Sequence, residues 1–86
     1  MFEAKLDFHE YGPLTPEQAC FYLDKFIEEA YAEKYSQVIV VTGKGEGKLR
    51  RIIHAHLPKN KLIKSFKPAS EWNGGSGAFE VYLKDC

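Results

Sequence analysis

Several things that would identify a chain quickly are scarce in these 86 residues. Two cysteines, Cys20 and Cys86, cannot build the disulfide framework of a small secreted domain, so the fold must close on a hydrophobic core. No apolar run approaches the ~20 residues of a membrane-spanning helix, and no basic-plus-apolar leader is visible. No membrane partner and a cytoplasmic location are therefore expected. Net charge is also missing, because 12 Lys and Arg balance 12 Asp and Glu, and a uniformly polybasic chain is excluded. Repeats, low-complexity tracts and linkers are absent. One small domain over residues 1–86 is expected, near the lower size limit for folding without staples.

The zero net charge hides a division. Residues 1–33 carry eight acids against two bases, while residues 44–67 carry eight bases against one acid. A basic half on a neutral protein makes a directional field that can steer a polyanion. A merely solvated polar surface would look the same in composition.

Periodicity predicts β-α-β-α-β-β. Leu6 and Phe8 alternate with Asp7 and His9 in a first strand. Thr15-Pro16-Glu17-Gln18 is a capping box with proline at the first helical position. Ala19, Leu23, Phe26, Ile27 and Ala30 then form one apolar stripe on a helix ending near Lys34. The unbroken Val38-Ile39-Val40-Val41 reads as a central strand covered on both faces. A second helix is expected over residues 48–57, with Leu49, Ile52, Ile53 and Leu57 facing the core and Pro58 stopping it. A third strand follows over residues 62–67. In a fourth, Phe79, Val81 and Leu83 alternate with Glu80, Tyr82 and Lys84. Right-handed crossovers make strands one to three parallel, with the fourth antiparallel at the end. The fold class is α/β (α+β), a two-layer sandwich of a four-stranded mixed sheet and two helices. In such sheets ligands sit at the carboxyl edge of the strands, where His9, the Gly43–Gly47 turn and the Trp72–Gly77 loop should meet.

Each of those segments carries a candidate group. In a strand Asp7 and His9 would share a face roughly 6–7 Å apart, as a general base with its orienter or as joint ligands of a divalent cation such as Mg. Thr42-Gly43-Lys44-Gly45-Glu46-Gly47-Lys48 fails the Walker A test, with threonine where the first glycine belongs and leucine after Lys48. It also fails the dinucleotide fingerprint. An anion-cradling turn remains, with Lys48, Arg50 and Arg51 on the helix it opens. His54 and His56, two apart on a helix, face different ways and cannot chelate one ion; His56 is expected to pack and His54 to join the polar face. Trp72, beside Gly74 and Gly75, is suited to stacking on an unpaired base or to folding back onto the core.

In order, Leu6-Asp7-Phe8-His9, Glu17-Gln18-Ala19, Thr42-Gly43-Lys44-Gly45 and Gly74-Gly75-Ser76-Gly77 resemble the Smr (small MutS-related) domain over about residues 5–84. The resemblance implies a sandwich similar to the C-terminal domain of a bacterial translation initiation factor. It implies nucleic-acid binding and, in many members, nicking of DNA or RNA. Asp7 and His9 match the motif associated with cleavage; Thr42, Gly43, Lys44 and Gly45 match the second motif. Two departures stand out. Thr42 replaces the histidine common at that position, which removes a candidate proton donor. Glu10 and Tyr11 separate His9 from Gly12, which sets a carboxylate beside the site.

The expected activity is thus a nicking endonuclease using Asp7, His9 and Lys44. Thr42, Gly43, Gly45, Lys48, Arg50, Arg51, Trp72, Gly74 and Gly75 would contact the nucleic acid. The alternatives are a module that binds branched or single-stranded nucleic acid without cutting, and a ribosome- or partner-docking domain of a larger polypeptide.

Overall fold

The computed structural model describes residues 4–43, 47–70 and 77–84, with His9 through its backbone alone. It contains β1 (Ala4–Asp7), α1 (Pro16–Ala32), β2 (Gln37–Val41), α2 (Lys48–His56), β3 (Ile63–Pro68) and β4 (Ala78–Leu83). The strands form one sheet in the order β1-β2-β4-β3. β1 and β2 are parallel, and β4 is antiparallel to both β2 and β3. β1, β2 and β3 therefore run one way and share a carboxyl edge, as expected.

The fourth strand is not at the end of the sheet but inserted between β2 and β3. Burial explains the exchange. Five of the six β4 residues are buried, whereas β3 exposes Lys64, Ser65, Lys67 and Pro68. A strand apolar on both faces gains most in the middle, and a strand with lysines and proline suits an edge. Glu80, which alternates with the apolar residues of β4, is accordingly buried at 7% exposure.

Local chemistry builds α1 completely. The Thr15 side chain accepts from the Gln18 N–H at 3.1 Å, and the Gln18 side chain accepts from the Thr15 N–H at 2.9 Å. Ala19, Leu23, Ile27 and Ala30 are buried along one face. At the other end Lys34 is left-handed (φ 68°), and Tyr35 N–H reaches Ala30 O while Lys34 N–H reaches Tyr31 O, each at 3.0 Å. That is a Schellman closure with lysine where glycine is usual. Both helices pack on one face of the sheet, where Leu23, Ile27, Ile53 and Leu57 meet Val38, Val40, Phe79 and Val81 in a single core. The other face carries a smaller cluster of Ile39, Ala69 and Ala78, with Val41 beside it.

The first strand is shorter than expected. It stops at Asp7, and Phe8–Glu10 make a 3-10 turn closed by Tyr11 N–H on Phe8 O at 3.1 Å. Phe8, only 2% exposed, still enters the core while the chain bends toward Gly12 and Pro13. His9 therefore lies in a turn, and the alternation that would set it on the same face as Asp7 does not apply.

Candidate functional site

The carboxyl edge is tied together by one carbonyl. Asp7 ends β1 opposite Val41, the last residue of β2. Beyond Val41 the chain offers Gly77 O two N–H groups, from Thr42 at 2.8 Å and Gly43 at 3.0 Å. The Thr42 hydroxyl donates to the same oxygen at 3.3 Å and lies 3.4 Å from Gly43 O. Thr42 is buried, and its hydroxyl is engaged with backbone. Gly43 has φ 86°, so a side chain there would be strained, and the turn needs glycine for the reason its sequence suggested. The end of β1, the start of the glycine turn and the start of β4 thus share one edge. Lys44, Gly45 and Glu46, and Trp72, Gly74, Gly75 and Ser76, lie outside the described residues.

The glycine turn leads into α2 through Gly47, again left-handed (φ 83°, ψ 0°). Gly47 itself has no side chain to cap this helix, and no acid occupies the first helical turn. The first amides of a helix lack intrahelical carbonyl partners and carry partial positive charge. Here Lys48, Arg50 and Arg51 are added to that charge. Lys48 and Arg51 are exposed. Arg50 is turned toward the sheet instead, its guanidinium carbon 4.2 Å from the Phe79 ring centre and Nη1 3.4 Å from Ala78 O. It joins α2 to the start of β4 as much as it offers charge to a ligand.

The remaining candidates are structural. His54 is exposed and sits edge-on to Phe66 with ring centres 5.5 Å apart. His56 Nε2 lies 3.0 and 3.1 Å from the two carboxylate oxygens of Asp24. Asp24 also accepts from Asn60 Nδ2 at 2.9 Å, and Asn60 Oδ1 takes the Leu62 N–H at 2.8 Å, so His56 belongs to a staple between α1 and the chain leaving α2. The histidines diverge as helical geometry requires. Burial, and then the Asp24 carboxylate, push the Cys20 thiol up, the wrong direction for a nucleophile. Among the described residues no three His, Cys, Asp or Glu side chains cluster to hold a metal ion, and none of the described helices is long and apolar enough to cross a membrane.

Sequence reasoning missed Glu80. Its Oε1 accepts from the Tyr82 hydroxyl at 2.9 Å and lies 3.7 Å from Lys67 Nζ; its Oε2 accepts from the Ser70 N–H at 3.0 Å. The hydrogen bond to that carboxylate pushes the Tyr82 phenol up. Ser70 and Gly77 flank residues 71–76, so Glu80 holds one end of that segment while Thr42 and Gly43 hold the other. Glu and Tyr two apart in a strand would have been the signal, but only once β4 was known to be central.

Comparison with known proteins now adds to this geometry. The Smr domain model matches residues 6–84. The Endonuclease MutS2 of Aquifex aeolicus is 47% identical over 62 residues, which is 72% of this chain and 8% of that protein. The Endonuclease MutS2 of Clostridium perfringens strain 13 is 34% identical over 88 residues, 95% of this chain and 11% of that protein. The chain thus spans about a tenth of the length of these relatives. Among solved structures, the Smr domain of Thermus thermophilus MutS2 superposes with a TM-score of 0.80 at 33% identity, covering 98% of this chain and 99% of that one. YdaL, a stand-alone small MutS-related protein from Escherichia coli, gives 0.82 at 25% identity, covering 95% and 65%.

Proposed function

Because the chain belongs to the Smr domain family, we propose that it binds nucleic acid at the carboxyl edge of its sheet and nicks DNA or structured RNA there. The observation that carries this reading is the joined edge: Asp7, the Thr42–Gly43 turn and a cationic helix start lie on adjacent segments. A phosphodiester needs a base to activate water and positive charge facing the oxygens that become more negative. In this reading His9 takes the water proton and Asp7 orients it. Lys44 and the amides around Gly47 face the phosphate, and Lys48 and Arg51 hold flanking phosphates. A divalent cation such as Mg, were it bound here, would be held by Asp7 and His9 and would supply the activated water.

The test is conversion of supercoiled plasmid to nicked circles, and cleavage of a structured RNA, with magnesium and with chelator. His9→Ala should lower the rate at least ~100-fold, the smaller end of what a general base contributes. An unchanged rate removes His9 from the mechanism.

A second reading, binding without cleavage, is favoured by the Thr42 hydroxyl. It is buried against Gly77 O and cannot act as the proton donor that a histidine there would supply. Salt-sensitive binding with no product from either substrate would select it.

A further inference from the structure

We propose that the cavity beside this edge receives a single unpaired nucleobase, so that the domain prefers nucleic acid carrying an extrahelical or unstacked nucleotide. The inference rests on the nucleic-acid-binding reading above and gives that site its substrate class. The cavity, about 230 Å³, lies between the turn after β1 and the first two turns of α2. Phe8, Gly12, Pro13 and Leu14 form one wall, and Leu49 and Ile52 form the other, with Lys48 beside them. Leu14, Leu49 and Ile52 are each partly exposed and so present apolar surface to whatever enters.

Size and charge select the occupant. Pockets for drug-sized ligands run from roughly 300 Å³ upward, so this one suits a single flat ring system. Its walls are aliphatic and aromatic, which favours the apolar face of a base over a sugar or a peptide backbone. Lys48 and the first amides of α2 place positive charge at the same spot, so a base entering here brings its phosphate to the cationic helix start. An aliphatic peptide side chain would leave that charge without a partner. A nucleotide satisfies both halves.

Two consequences follow from the lining. Extrusion of a base costs a few kcal/mol in a paired stack and least where the nucleotide is already unpaired, so bulges, mismatches and single-stranded stretches are favoured over intact duplex. Among the described lining residues Lys48 alone has a hydrogen-bonding side chain, and it serves the phosphate. Purines and pyrimidines should therefore be accepted with little discrimination.

The experiment uses the 86-residue chain and two fluorescein-labelled duplexes, one fully paired and one with a single-nucleotide bulge of 2-aminopurine. The expected result is roughly tenfold tighter binding of the bulged duplex, in line with the worth of one stacked base, together with a change in 2-aminopurine emission. Ile52→Phe, which fills the cavity, should erase the preference while paired-duplex binding persists. Since Ile52→Phe can also disturb folding, amide shifts of Gly12, Leu14 and Leu49 in the unmodified chain form a second readout. They should move more with the bulged duplex than with the paired one. Equal affinity for both duplexes, or amide shifts that do not distinguish them, overturns the base pocket and leaves the nucleic-acid reading standing. Failure to bind either duplex, made as DNA and again as RNA, overturns both.

Discussion

The two helices are built to different standards. α1 starts with a reciprocal capping box, buries four residues along one face and ends in a complete Schellman closure. α2 starts at a left-handed glycine with no side-chain cap, no acid and three cations in its first turn. Toward the core they are alike, since Leu23 and Ile27 on α1 and Ile53 on α2 are all fully buried. The difference is confined to the ends. A helix whose first turn carries cations, charge of the unfavourable sign for that end, would gain from an anion arriving from outside, as the proposed function requires.

The largest effects should show no asymmetry. Leu23→Ala and Ile53→Ala should each cost about 2–5 kcal/mol of stability in urea unfolding, as large-to-small core changes do. A much smaller loss for Ile53→Ala would mean that α2 is loosely docked and that its weak start is simply disorder.

Lys48→Glu is the sharpest division between the helices. An acid in the first turn relieves the dipole by roughly 0.3–1 kcal/mol, so the midpoint of thermal unfolding should rise by a few degrees. Nucleic-acid affinity should fall roughly tenfold at moderate salt, and the slope of log affinity against log salt should flatten by about one. Stability and binding moving in opposite directions is the signature of a start kept open for ligand. If both fall, Lys48 is a structural residue.

At the starts themselves, Thr15→Ala and Gly47→Ala should cost comparable stability by different routes. Thr15→Ala removes a capping hydrogen bond worth ~1 kcal/mol. Gly47→Ala forces a Cβ into φ 83°, which costs about 1–2 kcal/mol although the Cβ itself would meet no atom within 4 Å. Titration with the paired duplex separates them: Thr15→Ala should leave affinity alone, and Gly47→Ala should weaken it.

The same contrast governs what was legible in the sequence. The start of α1 was readable because its signals act over three residues: Thr15, Pro16 and Gln18 decide the cap among themselves. The glycine turn was readable because positive φ at Gly43 and Gly47 is a local demand. The position of β4 was not, since strand order depends on which strand buries both faces, and Glu80 read as a polar residue until its partners Ser70, Lys67 and Tyr82 were in place. His9 was expected in the strand beside Asp7 because alternation says nothing about where a strand stops, and β1 ends at Asp7. The contact of Arg50 with Phe79 was not legible either, because helical spacing gives direction around the axis but not the ring that is met. The Smr resemblance was legible because it rests on the order of four short motifs rather than on side-chain geometry.

The smallest predicted effect tests how complete α1 is. Lys34 holds φ 68°, a conformation that costs an L-residue roughly 1 kcal/mol, and the two hydrogen bonds at Tyr35 and Lys34 are what keep it there. Lys34→Gly removes that strain but adds unfolded-state entropy and loses a cation near the negative end of the helix, so its net gain should be only about 0.5 kcal/mol. Lys34→Ala loses the same charge and keeps the strain. Unfolding free energies from urea titration should therefore differ by about 1 kcal/mol in favour of Lys34→Gly, with the unsubstituted chain between them. Equal free energies would mean that the Schellman closure is not formed in solution, and α1 would then be open at one end just as α2 is.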